Sequence, residues 1–257
     1  MNKVSVGDVV LPGDTCEEIA TAGEKGKVIL GPGLRKEESG IYITKAGVLK
    51  RRNPNTYWID SYQKRYVPSR GENVIGIVTQ KSGDIFRVDI GSSCPATISY
   101  LSFEGATKKN RPEVQIGDVL YAKVLVAGKD LEPELLCVDS KGQKGRLGVL
   151  TDGFMFKCSV NLVRKILNPK CPLLNALKNE WPFELAAGMN GRMWIKAKSS
   201  RETIAMCNAI LGAEFLSSEE IKTMCLNIAS ILAGHVSYYE TNMCNGHHAD
   251  KIINFTI

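Results

Sequence analysis

Histidine is almost missing: the chain has three in 257 residues, His235, His247 and His248. A Ser-His-Asp or Cys-His catalytic site would have to be built from the last 23 residues, which show no clear period. Eight cysteines are present, yet none form a C-x-x-C pair and no spacing matches a zinc site or a disulfide framework. No P-loop, dinucleotide fingerprint or H-E-x-x-H occurs. No stretch approaches the roughly 18 apolar residues of a membrane span. The opening segment has only Val9-Val10-Leu11, shorter than the apolar core of a secretory signal. The expectation is therefore a protein with reduced thiols, in nucleus or cytoplasm, with no catalytic residue, cofactor or metal.

What is present is core material and a skewed charge. Hydrophobic residues make up 44% and charged residues 23%, which excludes wholesale disorder. The net charge is +6. Between Lys45 and Arg70, seven cations stand against Asp60 alone, so that stretch equals the whole excess. A second basic cluster comprises Arg192, Lys196, Lys198 and Arg201.

The first two thirds punctuate as β structure, with short Val-, Ile- and Tyr-rich runs between Gly- and Pro-containing turns. A boundary falls near Val67-Pro68. The five runs from Asn73 to Ser140 fit a five-stranded OB-fold barrel, and the loop Glu104–Glu113 interrupts it between the third and fourth. After the joint SKGQKGRLG, Leu147–Ser159 reads as strand–turn–strand around Asp152-Gly153. Helices are predicted over Ser159–Leu167, Ser200–Leu211 and Ser217–Leu232, the last opening on a capping box with Glu220. The fold class is thus mostly β plus α+β. The expected divisions are an N-terminal β domain over 1–66, an OB-fold over 67–141, a third domain over 146–234 and a tail over 235–257 without structure.

Each candidate site has a plain reading beside it. Gly188-Met189-Asn190-Gly191 is either a KH-type phosphate clamp or, because Asn-Gly favours tight turns, a structural hairpin. Phe86, Tyr100 and Phe103 are base-stacking platforms beside Lys81, Lys108 and Arg111, or they are core. Trp58 suits core or interface better than stacking. Lys50-Arg51-Arg52 fits a solvated hairpin end, an RNA path or an acidic partner. Asp130, Glu132 and Glu134 are a hydrated loop before they are a magnesium site, and Cys244, His247 and His248 a solvated terminus before a metal set.

The strings GDVVLPGD, GPGLR, YWIDSYQKRYVPSRGENVIGIVTQKSGDIF, FEGATKKNRP, GDVLYAKVLVA, LEPELLCVDS and GMNGRMWIKAK resemble the cap subunits of the RNA exosome over about residues 3–233. The resemblance implies an N-terminal β domain, an OB-fold of ribosomal-protein S1 type and a C-terminal KH domain. It implies a non-catalytic subunit that helps guide single-stranded RNA into a channel. Its partners would be RNase PH-like ring subunits, two other cap proteins and an associated 3′-to-5′ exonuclease, in nucleus, nucleolus and cytoplasm. No membrane is involved. Carried over, Lys108, Lys109 and Arg111 lie on the pore-facing loop, with Lys81, Phe86 and Tyr100 as further RNA-binding candidates. Gly188, Met189, Asn190 and Gly191 form the structural G-x-N-G motif of the KH domain. Tyr57, Trp58, Arg65 and Tyr66 are candidates for the partner interface. The rival reading is a free-standing OB/KH RNA-binding regulator.

Overall fold

Alternation of apolar and polar residues along short strands gives the chain one buried face at a time, and three cores result. The computed structural model describes residues 4–16, 19, 27–37, 40–128, 131–139, 142–143 and 145–232. The predicted tail lies outside them, as do His235, Cys244, His247 and His248.

The N-terminal region holds β1 (Val9–Val10), β2 (Ile29–Leu30), β3 (Leu34–Glu37), β4 (Gly40–Ile43), β5 (Gly47–Arg52) and β6 (Thr56–Asp60). One sheet runs β1-β5-β6-β2, and β3 pairs with β4 in a hairpin tied to Thr15 by a bridge at Tyr42. Leu49, Tyr57 and Ile59 fill the space between them with Ile41 and Ile43. The motif Gly31-Pro32-Gly33 lies directly on β6. The Gly31 amide donates to the Tyr57 carbonyl, and the Ile59 amide donates to the Pro32 carbonyl. Gly33 has φ +89°, and a Cβ there would stand 2.6 Å from that of Ile59, so only glycine fits.

The second core is the barrel. β7 (Asn73–Ser82), β8 (Ile85–Asp89), β9 (Ala96–Ser99), β10 (Val119–Val126) and β11 (Glu134–Leu136) pair in the order β11-β9-β8-β7-β10. The β10–β11 pairing closes the ring. These are the five runs read from the sequence, and the loop Glu104–Glu113 interrupts them where expected. Irregularities in register between Val78 and Gln80 and between Val124 and Val126 supply the bends closure needs. Gly76 is required by crowding, because a Cβ there would lie 2.2 Å from Val88 Cγ1.

The third core combines β13 (Phe154–Lys157), β14 (Phe183–Gly188) and β15 (Arg192–Ala197), in the order β13-β15-β14. Four helices cover it: α1 (Val160–Leu167), α2 (Leu173–Glu180), α3 (Ser200–Gly212) and α4 (Ser218–Leu232). α1 begins where Ser159 accepts from the Leu162 amide, and the Ser217–Glu220 capping box closes reciprocally at the start of α4. α2 has no counterpart in the sequence reading. The strand–turn–strand over Leu147–Ser159 needs a correction. Its first strand, β12 (Gly148–Leu150), pairs with β10 of the barrel, while β13 pairs with β15. Between them, Gly153 lies so close under the Trp194 ring that a Cβ would come within 2.2 Å of it.

Candidate nucleic-acid interface and the joint between barrel and third core

Strand β8 sets both of the regions that the sequence singled out. Its alternation turns Phe86 and Val88 inward and leaves Ile85 and Arg87 outside. An aspartate stands at each end, Asp84 just before it and Asp89 as its last residue. Each holds an arginine from a different element.

At the Asp84 end lies the basic loop. Thr107 and Asn110 close a tight turn: the Thr107 amide donates to the Asn110 carbonyl (2.9 Å), and the Asn110 amide donates to Thr107 Oγ1 (3.0 Å). Asn110 Nδ2 also donates to the Gly105 carbonyl (3.2 Å). Lys108 and Lys109 sit at the tip, exposed, and neither holds an ion pair among the described residues. Arg111 is differently placed. Its Nη2 is 3.0 Å from Asp84 Oδ1, and its guanidinium lies 5.1 Å over the Tyr100 ring.

The aromatic candidates are not platforms for bases. Phe86 and Tyr100 are only 3% and 6% exposed, and both belong to the barrel core with Phe103. Phe86 and Phe103 meet edge to face at 6.2 Å. A cation lies over the face of each candidate ring, Lys81 over Phe86 at 5.4 Å and Arg111 over Tyr100. Stacking by Phe86 and Tyr100 is therefore corrected: their area is spent inside the barrel, and what faces outward is charge.

At the Asp89 end lies the joint with the third core. Gly188–Gly191 turns the β14–β15 hairpin, and the Gly191 amide donates to the Gly188 carbonyl. Asn190 is buried and reaches across to the barrel. Its Oδ1 accepts from the Ile75 amide (3.1 Å), and its Nδ2 donates to the carbonyls of Ile75 (2.7 Å) and Ile90 (2.8 Å). The Met189 amide donates to the Asn73 carbonyl. A Cβ at Gly188 would stand 2.7 Å from the Ile75 nitrogen. Arg192 is buried as well. Its Nη1 donates to the Asp89 carbonyl and its Nη2 to Asp89 Oδ2, both at 2.6 Å. Partial burial pushes the Asp89 pKa up, but the Arg192 guanidinium and the Gly91 amide outweigh that and hold it below the ordinary carboxylate value. Ile75, Ala186 and Trp194 add an apolar contact. No atom of this loop is presented as an open phosphate clamp.

The interface candidates of the N-terminal half divide. Tyr57 is core of the first domain with Arg51 over its ring at 5.5 Å, and Tyr66 is core of the barrel with its hydroxyl on Glu72. Both are corrected as contact residues, because burial leaves them no free face. Trp58 is half-buried and Arg65 exposed. Lys50-Arg51-Arg52 is a hairpin end, with Lys50 paired to Asp60. Glu132 is exposed just ahead of β11 and Glu134 is exposed as its first residue, and Asp130 lies outside the described residues. Burial, with Glu214 nearby, pushes the Cys158 thiol up to about 12, and burial pushes Cys207 up to about 11, so both stay protonated at neutral pH.

Three family models match in succession: the mammalian exosome complex component RRP40 N-terminal domain over residues 4–62, the RRP40 S1 domain over 66–148 and a KH domain over 153–201. The exosome complex component RRP40 of Drosophila melanogaster is 50% identical over 224 residues, 87% of this chain and 97% of that protein. The Homo sapiens protein of that name is 46% identical over 82% of this chain and 79% of its own length. That of Saccharomyces cerevisiae is 35% identical over 79% and 87%. A solved structure assigned to the exosome complex RNA-binding proteins superposes with a TM-score of 0.55 at 21% identity. It covers 65% of this chain and 99% of that one, a likeness of fold. The barrel that β10 and β11 close is an S1 domain and the hairpin clamped onto it belongs to a KH domain, and with relatives this similar along nearly the whole sequence the chain belongs to the exosome complex component RRP40 family.

Proposed function

We propose that the chain is a non-catalytic, RNA-binding cap subunit of an RNA exosome, acting in nucleus, nucleolus and cytoplasm. In this reading it helps hold the cap on a ring of RNase PH-like subunits beside two other cap proteins. Single-stranded RNA passes the Lys108–Lys109 tip on its way to an associated 3′-to-5′ exonuclease. One observation carries the RNA part: two exposed lysines, without an ion pair among the described residues, on a turn closed by its own hydrogen bonds at one end of the barrel. Cations so held attract phosphates without reading bases. Lys81 joins them over the buried Phe86 ring. Assembly is supported by exposed apolar residues of the N-terminal domain, Val9, Leu11 and Ile29, and by Trp58 and Arg65.

The test is affinity purification of the tagged chain from ribonuclease-treated extract, with and without Lys108→Glu/Lys109→Glu. Six RNase PH-like subunits and two further cap proteins are expected with both forms. The double variant is expected to bind single-stranded RNA more weakly, with the log–log salt slope shallower by about 1.4 for two lost phosphate contacts. Recovery of the chain alone, with tight RNA binding, would establish the free-standing regulator instead.

A further inference from the structure

We infer that Arg111 is a positioning residue: it fastens the basic turn to the barrel so that Lys108 and Lys109, rather than Arg111 itself, meet phosphate. This rests on the RNA-facing reading of that loop.

Sequence order alone makes Arg111 the third cation of an RNA-binding run. Its surroundings give it other work. The carboxylate of Asp84 is in contact with the guanidinium, so the positive charge is largely offset where it stands. The guanidinium face lies on Tyr100, a ring fixed in the barrel core. Asp84 and Tyr100 are themselves joined, because the Tyr100 amide donates to the Asp84 carbonyl at 3.1 Å. Arg111 thus grips a platform whose two halves are hydrogen-bonded to each other. The residue after it is Pro112, which fixes its own φ and biases Arg111 toward extended backbone, so the side chain leaves the turn in a restricted direction. The residue before it is Asn110, which closes the turn by three bonds. The chain of restraint runs from barrel to Arg111 to Asn110 to the two lysines. A guanidinium suits this work because it can bond in its plane and stack on its face together, which an ammonium cannot.

The two roles for Arg111 predict opposite signs for one substitution. Asp84→Asn removes a negative charge from the loop. If Arg111 contacted phosphate, freeing it would tighten RNA binding. If it positions the turn, the loosened lysines bind more weakly despite the gain in positive charge. The measurement is the affinity of the complex assembled around the full-length chain for a fluorescein-labelled oligouridylate at low salt. Hydrogen exchange at the Thr107 and Asn110 amides is read alongside. Loss of an exposed ion pair supports a weakening of roughly two- to fivefold for Asp84→Asn, with faster exchange at both amides. Arg111→Lys, which keeps the charge but not the fork, is expected to weaken binding to a similar extent. The exchanged pair Asp84→Arg/Arg111→Asp is expected to recover part of the loss.

Tighter binding by Asp84→Asn, or wild-type binding by Arg111→Lys, overturns the positioning role while the RNA-facing reading stands. If Lys108→Glu/Lys109→Glu leaves affinity unchanged in the same assay, the RNA-facing reading fails and the positioning role falls with it.

Discussion

Two segments of this chain carry the same residue types, an asparagine followed by an arginine held by an aspartate at one end of β8, and they end in opposite conditions. Asn190 and Arg192 are sealed between barrel and KH domain, with Asn190 bonded to Ile75 and Ile90 and Arg192 to Asp89. Asn110 bonds within its own turn, and Arg111 meets Asp84 in the open, with more than half of each side chain exposed. The amide and the guanidinium are the same chemistry in both places. Burial decides what they do: inside, every unmade bond would cost, so the groups lock two domains together. Outside, the exposed pair contributes little stability, and its effect is on where neighbouring charges point.

Six substitutions sharpen the contrast. Asn190→Leu is expected to have the largest effect, because it leaves the Ile75 amide and two carbonyls without partners. The loss should reach about 3 kcal/mol or more in chemical denaturation, whereas Asn110→Leu should cost about 1 kcal/mol or less. Next comes Gly188→Ala, whose new methyl would press on the Ile75 nitrogen and Asn190 Oδ1. It should cost about 2 kcal/mol, against about 1 kcal/mol for Gly105→Ala, where φ is +66° but the space around is open. Equal losses at the two glycines, measured by thermal unfolding, would break the comparison.

Third is the Asp89–Arg192 pair. The Asp89 pKa is lowered in the folded chain, so its contribution is present above the unfolded carboxylate value, near 3.8, and disappears as the pH falls through the lower folded value. Asp89→Asn should therefore narrow the stability difference between pH 6 and pH 3, read by denaturation at each pH. Smallest is Lys108→Ala. It should leave the melting temperature unchanged and make the RNA-binding salt slope shallower by about 0.7, as expected for one phosphate contact.

The barrel was legible because its strands are short runs rich in Val and Ile, with β8, β9 and β10 alternating, and because its turns are marked by glycine. The hairpin at Asn190-Gly191 was legible from local chemistry alone. Helix α2 was not. It starts after Pro172 with no side-chain cap, and in Leu173–Glu180 neither end is marked by a Ser, Thr, Asp or Gly. The aromatic residues show a different difficulty. Nearness to Lys81 and Arg111 in sequence suggested open rings, yet the alternation Ile85-Phe86-Arg87-Val88 already puts Phe86 on the face opposite Arg87. Asp84 and Asp89 could not be read as partners of Arg111 and Arg192, since those pairs span 27 and 103 positions and depend on closure of the barrel and docking of the KH domain.

The aspartates at the two ends of β8 also bear on how the chain discriminates its correct pairing during folding. Sliding β8 by one residue would shift both carboxylates by about 3.3 Å and turn its inward side chains outward. Arg111 and Arg192 would lose their partners together, and Phe86 would give up its inward place to Arg87 or Ile85. A mispaired β8 would therefore fail in the loop, in the joint and in the core at once, so a single strand acts as a register check for the barrel and for the domain built upon it.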